Sequence, residues 1–177
     1  GERVWHFQAV HHGLWDYDFP TAGNLLDITV DGRTIKAIAQ PSKQAFTYVF
    51  NRATGEPVWP IEERPVPSGN VPGEWYAPTQ PFPTRPAPLE LLLLTEDDVI
   101  DFTPELKTEA LEIMSEYRIG GPYMPPLPEG HAEPVKGWVG CSGGLNITNP
   151  ASFDPTTGYL YQPSGPSCSG LTVQRVQ

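Results

Sequence analysis

The sequence predicts an all-β chain of short strands joined by tight turns, and three observations lead there. Among 177 residues, 22 are proline and 17 are glycine, which breaks up long helices and leaves strands between turns as the regular structure. β-Branched and aromatic residues gather in short runs such as Phe46-Thr47-Tyr48-Val49-Phe50 and Tyr159-Leu160-Tyr161. A turn signal recurs beside those runs: Phe50-Asn51-Arg52-Ala53-Thr54-Gly55 returns 103 residues later as Phe153-Asp154-Pro155-Thr156-Thr157-Gly158. Likewise Gly1-Glu2-Arg3-Val4-Trp5 returns 54 residues later as Gly55-Glu56-Pro57-Val58-Trp59. Repetition at about 50 residues or its multiples is the mark of propeller blades. The chain therefore reads as part of a β-propeller rather than as unrelated hairpins that share turn chemistry.

Along the chain, the first blade-like region covers about residues 1–59. Its opening run, Trp5 to Pro20, is rich in rings and charges and is read as extended. Asp27-Ile28-Thr29-Val30 followed by Gly32 gives a hairpin, and the apolar strand from Ala45 to Phe50 runs into the Asn51 to Gly55 turn. From Pro60 to Pro134 lie 15 of the 22 prolines and little strand alternation, so this stretch is expected to be an insertion outside the blade pattern. One helix is marked inside it. Thr103 can cap, Pro104 suits the first helical position, Leu106, Ala110, Ile113, Met114 and Tyr117 share a face, and Gly120-Gly121 is the expected stop. Residues 135–177 return to the blade pattern, giving one partial propeller domain over 1–177.

A formal net charge of −10 and a pI near 4.7 oppose binding to phosphate backbones, so nucleic acid is excluded as a partner class. The longest apolar run, Leu91 to Leu94, is bounded by Glu90 and Glu96 and falls far short of the ~20 residues that span a bilayer. The chain opens without an initiator Met or an apolar leader and is expected to be a fragment, with any targeting signal or membrane anchor upstream. Cys141 and Cys168 allow one disulfide, without CxxC spacing to point elsewhere. Glu96-Asp97-Asp98 reads as solvated charge ahead of the helix, and the Asn146-Ile147-Thr148 sequon as idle.

The chemistry concentrates in Trp5-His6-Phe7-Gln8-Ala9-Val10-His11-His12-Gly13-Leu14-Trp15-Asp16-Tyr17-Asp18-Phe19-Pro20, with Lys43 following in Gln40-Pro41-Ser42-Lys43. If the run is extended, Asp16 shares a face with Leu14 and Asp18 while Trp15 and Tyr17 face away. Held among rings, its carboxyl is expected to be desolvated and better suited to act as a general base. Lys43 comes 27 residues later, and one strand excursion out and back brings it beside Asp16. His11 and His12 with the two aspartates suggest a transition metal, but successive strand residues face opposite ways, which argues against one shared ion.

The Val10-His11-His12-x-Leu14-Trp15-Asp16-x-Asp18-x-Pro20 pattern resembles the quinoprotein dehydrogenases, and most of all their membrane-bound glucose dehydrogenase branch. Arg52-x-Thr54-Gly55-Glu56-Pro57-Val58-Trp59-Pro60 and Pro78-Thr79-Gln80-Pro81-Phe82 extend the likeness over most of the chain. The resemblance implies part of an eight-bladed propeller that binds pyrroloquinoline quinone (PQQ) with calcium or magnesium. It also implies oxidation of a sugar or alcohol hydroxyl, with electrons passed through ubiquinone or cytochrome c to a respiratory chain on the periplasmic side of a bacterial inner membrane. Membrane association would come only through segments outside this sequence.

Residue by residue, the resemblance puts Asp16 at the catalytic base, with one oxygen for the metal, and Lys43 at the cation on the quinone. Asn146, in Gly144-Leu145-Asn146-Ile147, matches a cofactor contact but lacks the Trp that usually follows it, and His12 is the candidate for substrate hydrogen bonding. The remaining cofactor and metal contacts are expected from blades outside this sequence, so the fragment alone should be inactive. Alternatives are a quinoprotein alcohol dehydrogenase, a non-catalytic propeller serving binding or assembly, and, least favoured, a metal-dependent hydrolase built on His11, His12, Asp16 and Asp18.

Overall fold

The computed structural model describes residues 1–133, 135–141, 150–165 and 168–173. They form small, mostly antiparallel sheets and one helix. β1 (Asn24–Val30), β2 (Arg33–Pro41) and β3 (Thr47–Asn51) make a meander. The β1–β2 connection is the two-residue turn Asp31-Gly32, both at positive φ (51° and 74°), the geometry that matches the twist of the flanking strands. β4 (Ile61–Pro65) pairs with β5 (Thr79–Pro83). Helix α1 (Pro104–Ser115) leads to a four-stranded sheet in the order β6 (Arg118–Ile119), β8 (Trp138–Cys141), β11 (Cys168–Val173), β7 (Leu127–Pro128). β9 (Ser152–Asp154) and β10 (Tyr159–Tyr161) form a hairpin that packs on β1.

The repeated turn has one geometry in both places where it joins strands. Gly55 N donates to Asn51 O at 2.8 Å, and Gly158 N to Asp154 O at 2.8 Å, with φ of 78° and 74° at the two glycines. In each, the side chain of the first residue closes the turn: Asn51 Oδ1 accepts from Ala53 N and Asp154 Oδ1 from Thr156 N. The Gly1 to Trp5 copy forms no strand; instead Trp5 lies against Gly55 and Phe50 and donates to Arg52 O at 3.1 Å. Its counterpart Trp59 packs in the second apolar cluster with Phe153 and Leu160. Trp5 thus sits at the turn of another copy, whereas Trp59 packs on the same buried residues as the β9–β10 hairpin.

Two features depart from the sequence reading. The Pro-rich stretch 60–134 contains the β4–β5 hairpin, because Pro65, Pro81 and Pro83 sit in a two-stranded ribbon whose outer edges need no ladder donors. Helix α1 begins as expected, with Thr103 Oγ1 accepting from Leu106 N at 3.3 Å, but ends at Ser115, well before Gly120-Gly121. Strand pairing takes over there: Lys136 N donates to Glu116 O at 2.7 Å and Arg118 N to Gly137 O at 2.9 Å, drawing the chain into β6. Cys168 is disulfide-bonded, and its ladder partner is Cys141, the other cysteine of the sequence. Among the described residues, no helix is long and apolar enough to cross a membrane.

The main core is aromatic. Phe7 meets Phe50 and Tyr48, Trp15 and Tyr17 meet Tyr123 edge-on, and Phe82 from β5 lies between Phe46 and Tyr123. Large rings that each bury ~150–250 Å² let a chain with a 38% apolar content assemble a core. This core fixes the segment that carries the candidate site.

Candidate active site

Residues 1–23 have no strand hydrogen bonding, and the side chains of the 5–20 run are placed by burial instead. Trp15 and Tyr17 are buried, and Trp15 Nε1 donates to Met124 O at 2.8 Å. Asp16 and Asp18, alternating with them, point outward, and Asp16 takes a positive φ of 60°. Asp16 and Asp18 share the outward face as expected, but Leu14 packs on the aromatic core, and positive φ at His12 and Asp16 breaks the extended run. The expected desolvation is absent: the Asp16 side chain is 86% exposed. Both rings beside it turn into the core, so they anchor the backbone without covering the carboxylate.

Lys43 arrives by the predicted route. The β1–β2 hairpin carries the chain out and back, and a tight turn over Ser42 to Phe46 joins β2 to β3. That turn is locked by Ser42 N and Oγ, both donating to Phe46 O, by a positive φ at the fully buried Ala45, and by buried Gln44, whose Nε2 donates to Tyr123 Oη at 3.1 Å. Lys43 N donates to Asp18 O at 3.4 Å, and Lys43 Nζ lies 2.7 Å from Asp16 Oδ2 and 2.5 Å from Asp18 Oδ1. The hydrogen bond from Lys43 holds the Asp18 carboxyl below its ordinary range, against partial burial. Reciprocally, the bonds to Asp16 and then Asp18 push the Lys43 ammonium up. Asp18 as second partner of Lys43 escaped the sequence reading, although its place two residues from Asp16 on the same face was the available signal.

The two histidines diverge. His11 Nε2 meets Glu63 Oε1 on β4 at 2.8 Å, and His11 N donates to the buried Gln80 Oε1 at 2.9 Å. Burial pushes the Glu63 carboxyl up, but hydrogen bonds from His11 and Thr79 outweigh it and leave the group lowered. His12, at φ 86°, meets Glu74 Oε1 at 2.7 Å and lies against the ring of Trp75, 4.0 Å between centroids. Glu63, Glu74 and Trp75 come from the Pro-rich stretch, where no sequence motif marks them. Among the described residues, no group of three or more His, Cys, Asp and Glu side chains can hold a metal ion, which removes the His-His-Asp-Asp arrangement within them. Asn146 lies outside the described residues.

The arrangement offers an exposed carboxylate fixed at one oxygen by an ammonium. That ammonium has three N–H groups, of which two serve Asp16 and Asp18, leaving one for a further oxygen acceptor. The chemistry of this donor set fits a proton acceptor beside an electrophilic carbonyl.

A family model described as the PQQ glucose/ethanol/alcohol dehydrogenase β-propeller domain matches residues 1–174. The chain is 34% identical to a glycerol dehydrogenase large subunit of Gluconobacter thailandicus, over 90% of its length and 21% of the relative's. It is 31% identical to a quinate/shikimate dehydrogenase (quinone) of Acinetobacter baylyi, over 91% of the chain and 19% of that protein. Likeness to a quinoprotein glucose dehydrogenase of Escherichia coli reaches 45% identity, over 46% of the chain and 10% of the relative. The chain thus spans about a fifth of the length of the relatives it matches along most of its own. No solved structure matches it.

Proposed function

The chain belongs to the β-propeller family of PQQ-dependent glucose/ethanol/alcohol dehydrogenases, and on that premise we propose that the protein carrying it oxidises the hydroxyl of a sugar or other alcohol with Asp16 as base and Lys43 as the cation beside the quinone. The observation that carries this reading is the contact of Lys43 Nζ with Asp16 Oδ2 at 2.7 Å, on an aspartate whose side chain is 86% exposed. Bound PQQ supplies a quinone able to accept the hydride that leaves the carbinol carbon. Asp16 takes the hydroxyl proton, so that the alcohol becomes a carbonyl. Lys43 holds the Asp16 carboxylate in one orientation and has one N–H left, which would meet a quinone oxygen. Asn146 is proposed as a second cofactor contact and His12 as a hydrogen-bonding partner of the substrate.

Asp16 is further proposed as one oxygen ligand of a calcium or magnesium ion, a hard cation suited to carboxylate and amide oxygens. The electrons are proposed to pass to ubiquinone or a cytochrome c, at a site facing the bacterial periplasm. The relatives' names span glucose, glycerol and quinate, all oxidised at hydroxyl-bearing carbon, which supports the reaction class over any one substrate.

The test is the full-length protein reconstituted with PQQ and calcium against a panel of sugars and alcohols. Asp16→Asn keeps the shape and removes the base, so turnover should fall by about 10²–10⁴-fold while PQQ binding, read by its absorbance on the protein, persists. Retention of most turnover would disqualify Asp16 as the base and leave Asp18 in its place.

A further inference from the structure

Trp75 is 59% exposed, although an indole is the largest apolar side chain a protein can bury. Its loop is not loose. Tyr76, the next residue, turns inward, where its ring fills the space a Cβ on Gly69 would need and its hydroxyl accepts from Val71 N at 3.1 Å. Glu74 N donates to Val71 O at 3.2 Å, and Trp75 N to Glu74 Oε1 at 2.8 Å, so the loop orders itself and presents the indole outward. One side of that indole is braced by the His12 imidazole, itself fixed by the same Glu74 oxygen. Holding His12 there requires a left-handed backbone, which a non-glycine residue adopts at a cost when the surroundings demand it.

What remains is a flat apolar face beside unused polar atoms. Glu74 Oε2 and His12 Nδ1 have no hydrogen-bond partner among the described residues. A flat C–H surface ringed by hydroxyls complements such a site: the C–H face covers the indole while hydroxyls reach the carboxylate and the imidazole. His12, which braces the platform, lies four residues before Asp16, so the Cα atoms of the bracing residue and of the proposed base are within roughly 14 Å, the reach of a four-residue segment. Glucose, quinate and shikimate, in the names of relatives at 31–45% identity, are polyhydroxylated six-membered rings, whereas glycerol has no ring.

Resting on the dehydrogenase reading, we propose that Trp75, braced by His12 and Glu74, is a ring-recognition platform that makes the site selective for polyhydroxylated six-membered rings over open-chain alcohols. In the full-length holoenzyme, with the better of glucose and quinate as ring substrate, Trp75→Ala should lower the ratio of ring to glycerol kcat/KM roughly tenfold, the size of one aromatic contact. The loss should sit mainly in KM, and Trp75→Tyr should restore most of it. Independently of turnover, the ring substrate should quench the tryptophan fluorescence of the wild-type apoprotein more than that of Trp75→Phe.

An unchanged ratio in Trp75→Ala would overturn the platform. So would a wild type that oxidises glycerol and neither ring, or an indole already shielded from acrylamide in the substrate-free full-length protein. Each of these leaves the dehydrogenase reading standing. A full-length protein that oxidises no alcohol with PQQ would overturn both.

Discussion

Lys43 does two things at once: it pins the candidate base, and through Asp18 it ties the Ser42 to Phe46 turn to the segment that carries Asp16. Because Asp18 is held below its ordinary range, its share of stability is present above the unfolded value of ~3.9 and disappears as pH falls through the lower folded value. Lys43 is shifted upward, so its share is present below ~10.4 and is lost as pH rises through the higher folded value. The triad should therefore be intact across the neutral range. Melting temperatures of full-length wild type and Asp18→Asn should differ by a constant amount from about pH 5 to 9 and converge below ~3.9. A gap that persists at low pH would mean Asp18 contributes by packing. Lys43→Ala should lower both turnover and PQQ retention, with Lys43→Arg keeping part of each, since the charge survives with a different geometry. Equal turnover of Lys43→Ala and wild type at saturating PQQ and metal would remove Lys43 from the mechanism.

Among the elements, the repeated turn shows how one local motif is used with and without tertiary load. Gly55 and Gly158 have nearly the same positive φ, but a Cβ on Gly55 would lie 2.6 Å from the Trp5 ring, whereas Gly158 has nothing within 4 Å. Replacing Gly158 by Ala should cost only the left-handed penalty of about 1–2 kcal/mol. Gly55→Ala adds a collision with a partly buried indole and should cost about 1–3 kcal/mol more, the usual price of overpacking. Thermal denaturation of the two full-length variants gives the comparison directly. If both melt alike, Trp5 is free to move off the turn, and its docking contributes little to holding residues 5–20 in place.

At the level of the whole molecule, the described surface is unusually apolar in places: Val4 is 80% exposed, Phe102 84% and Ile113 52%, and helix α1 buries none of its residues. The sheets are small and leave edges open, each holding two to four strands. Expressed alone, the 177-residue chain should therefore bind a hydrophobic dye, melt without a sharp transition and show no shift in melting on adding PQQ with calcium. A cooperative monomer stabilised by both would mean that these residues complete the cofactor site by themselves.

The sequence by itself determined the features that local chemistry controls. The Asp31-Gly32 hairpin, the two Asn/Asp to Gly turns, the Thr103 cap and the meeting of Lys43 with Asp16 all follow from turn residues, propensity and one strand excursion. The family could also be read from the order of residues 10–20, a fixed pattern that composition does not produce. Only the tertiary structure decided what depends on contacts distant in sequence. The exposure of Asp16 follows from Trp15 and Tyr17 closing on Tyr123, more than 100 residues away, and the helix ends early because Lys136 and Gly137 recruit its C-terminal flank into a strand. The pairing of His11 with Glu63 and of His12 with Glu74 rests on where the β4–β5 hairpin and the loop before β5 are laid down. Proline-rich sequence carries little periodic signal, so the position of that stretch is set by the aromatic core it packs on, which no local window of the chain contains.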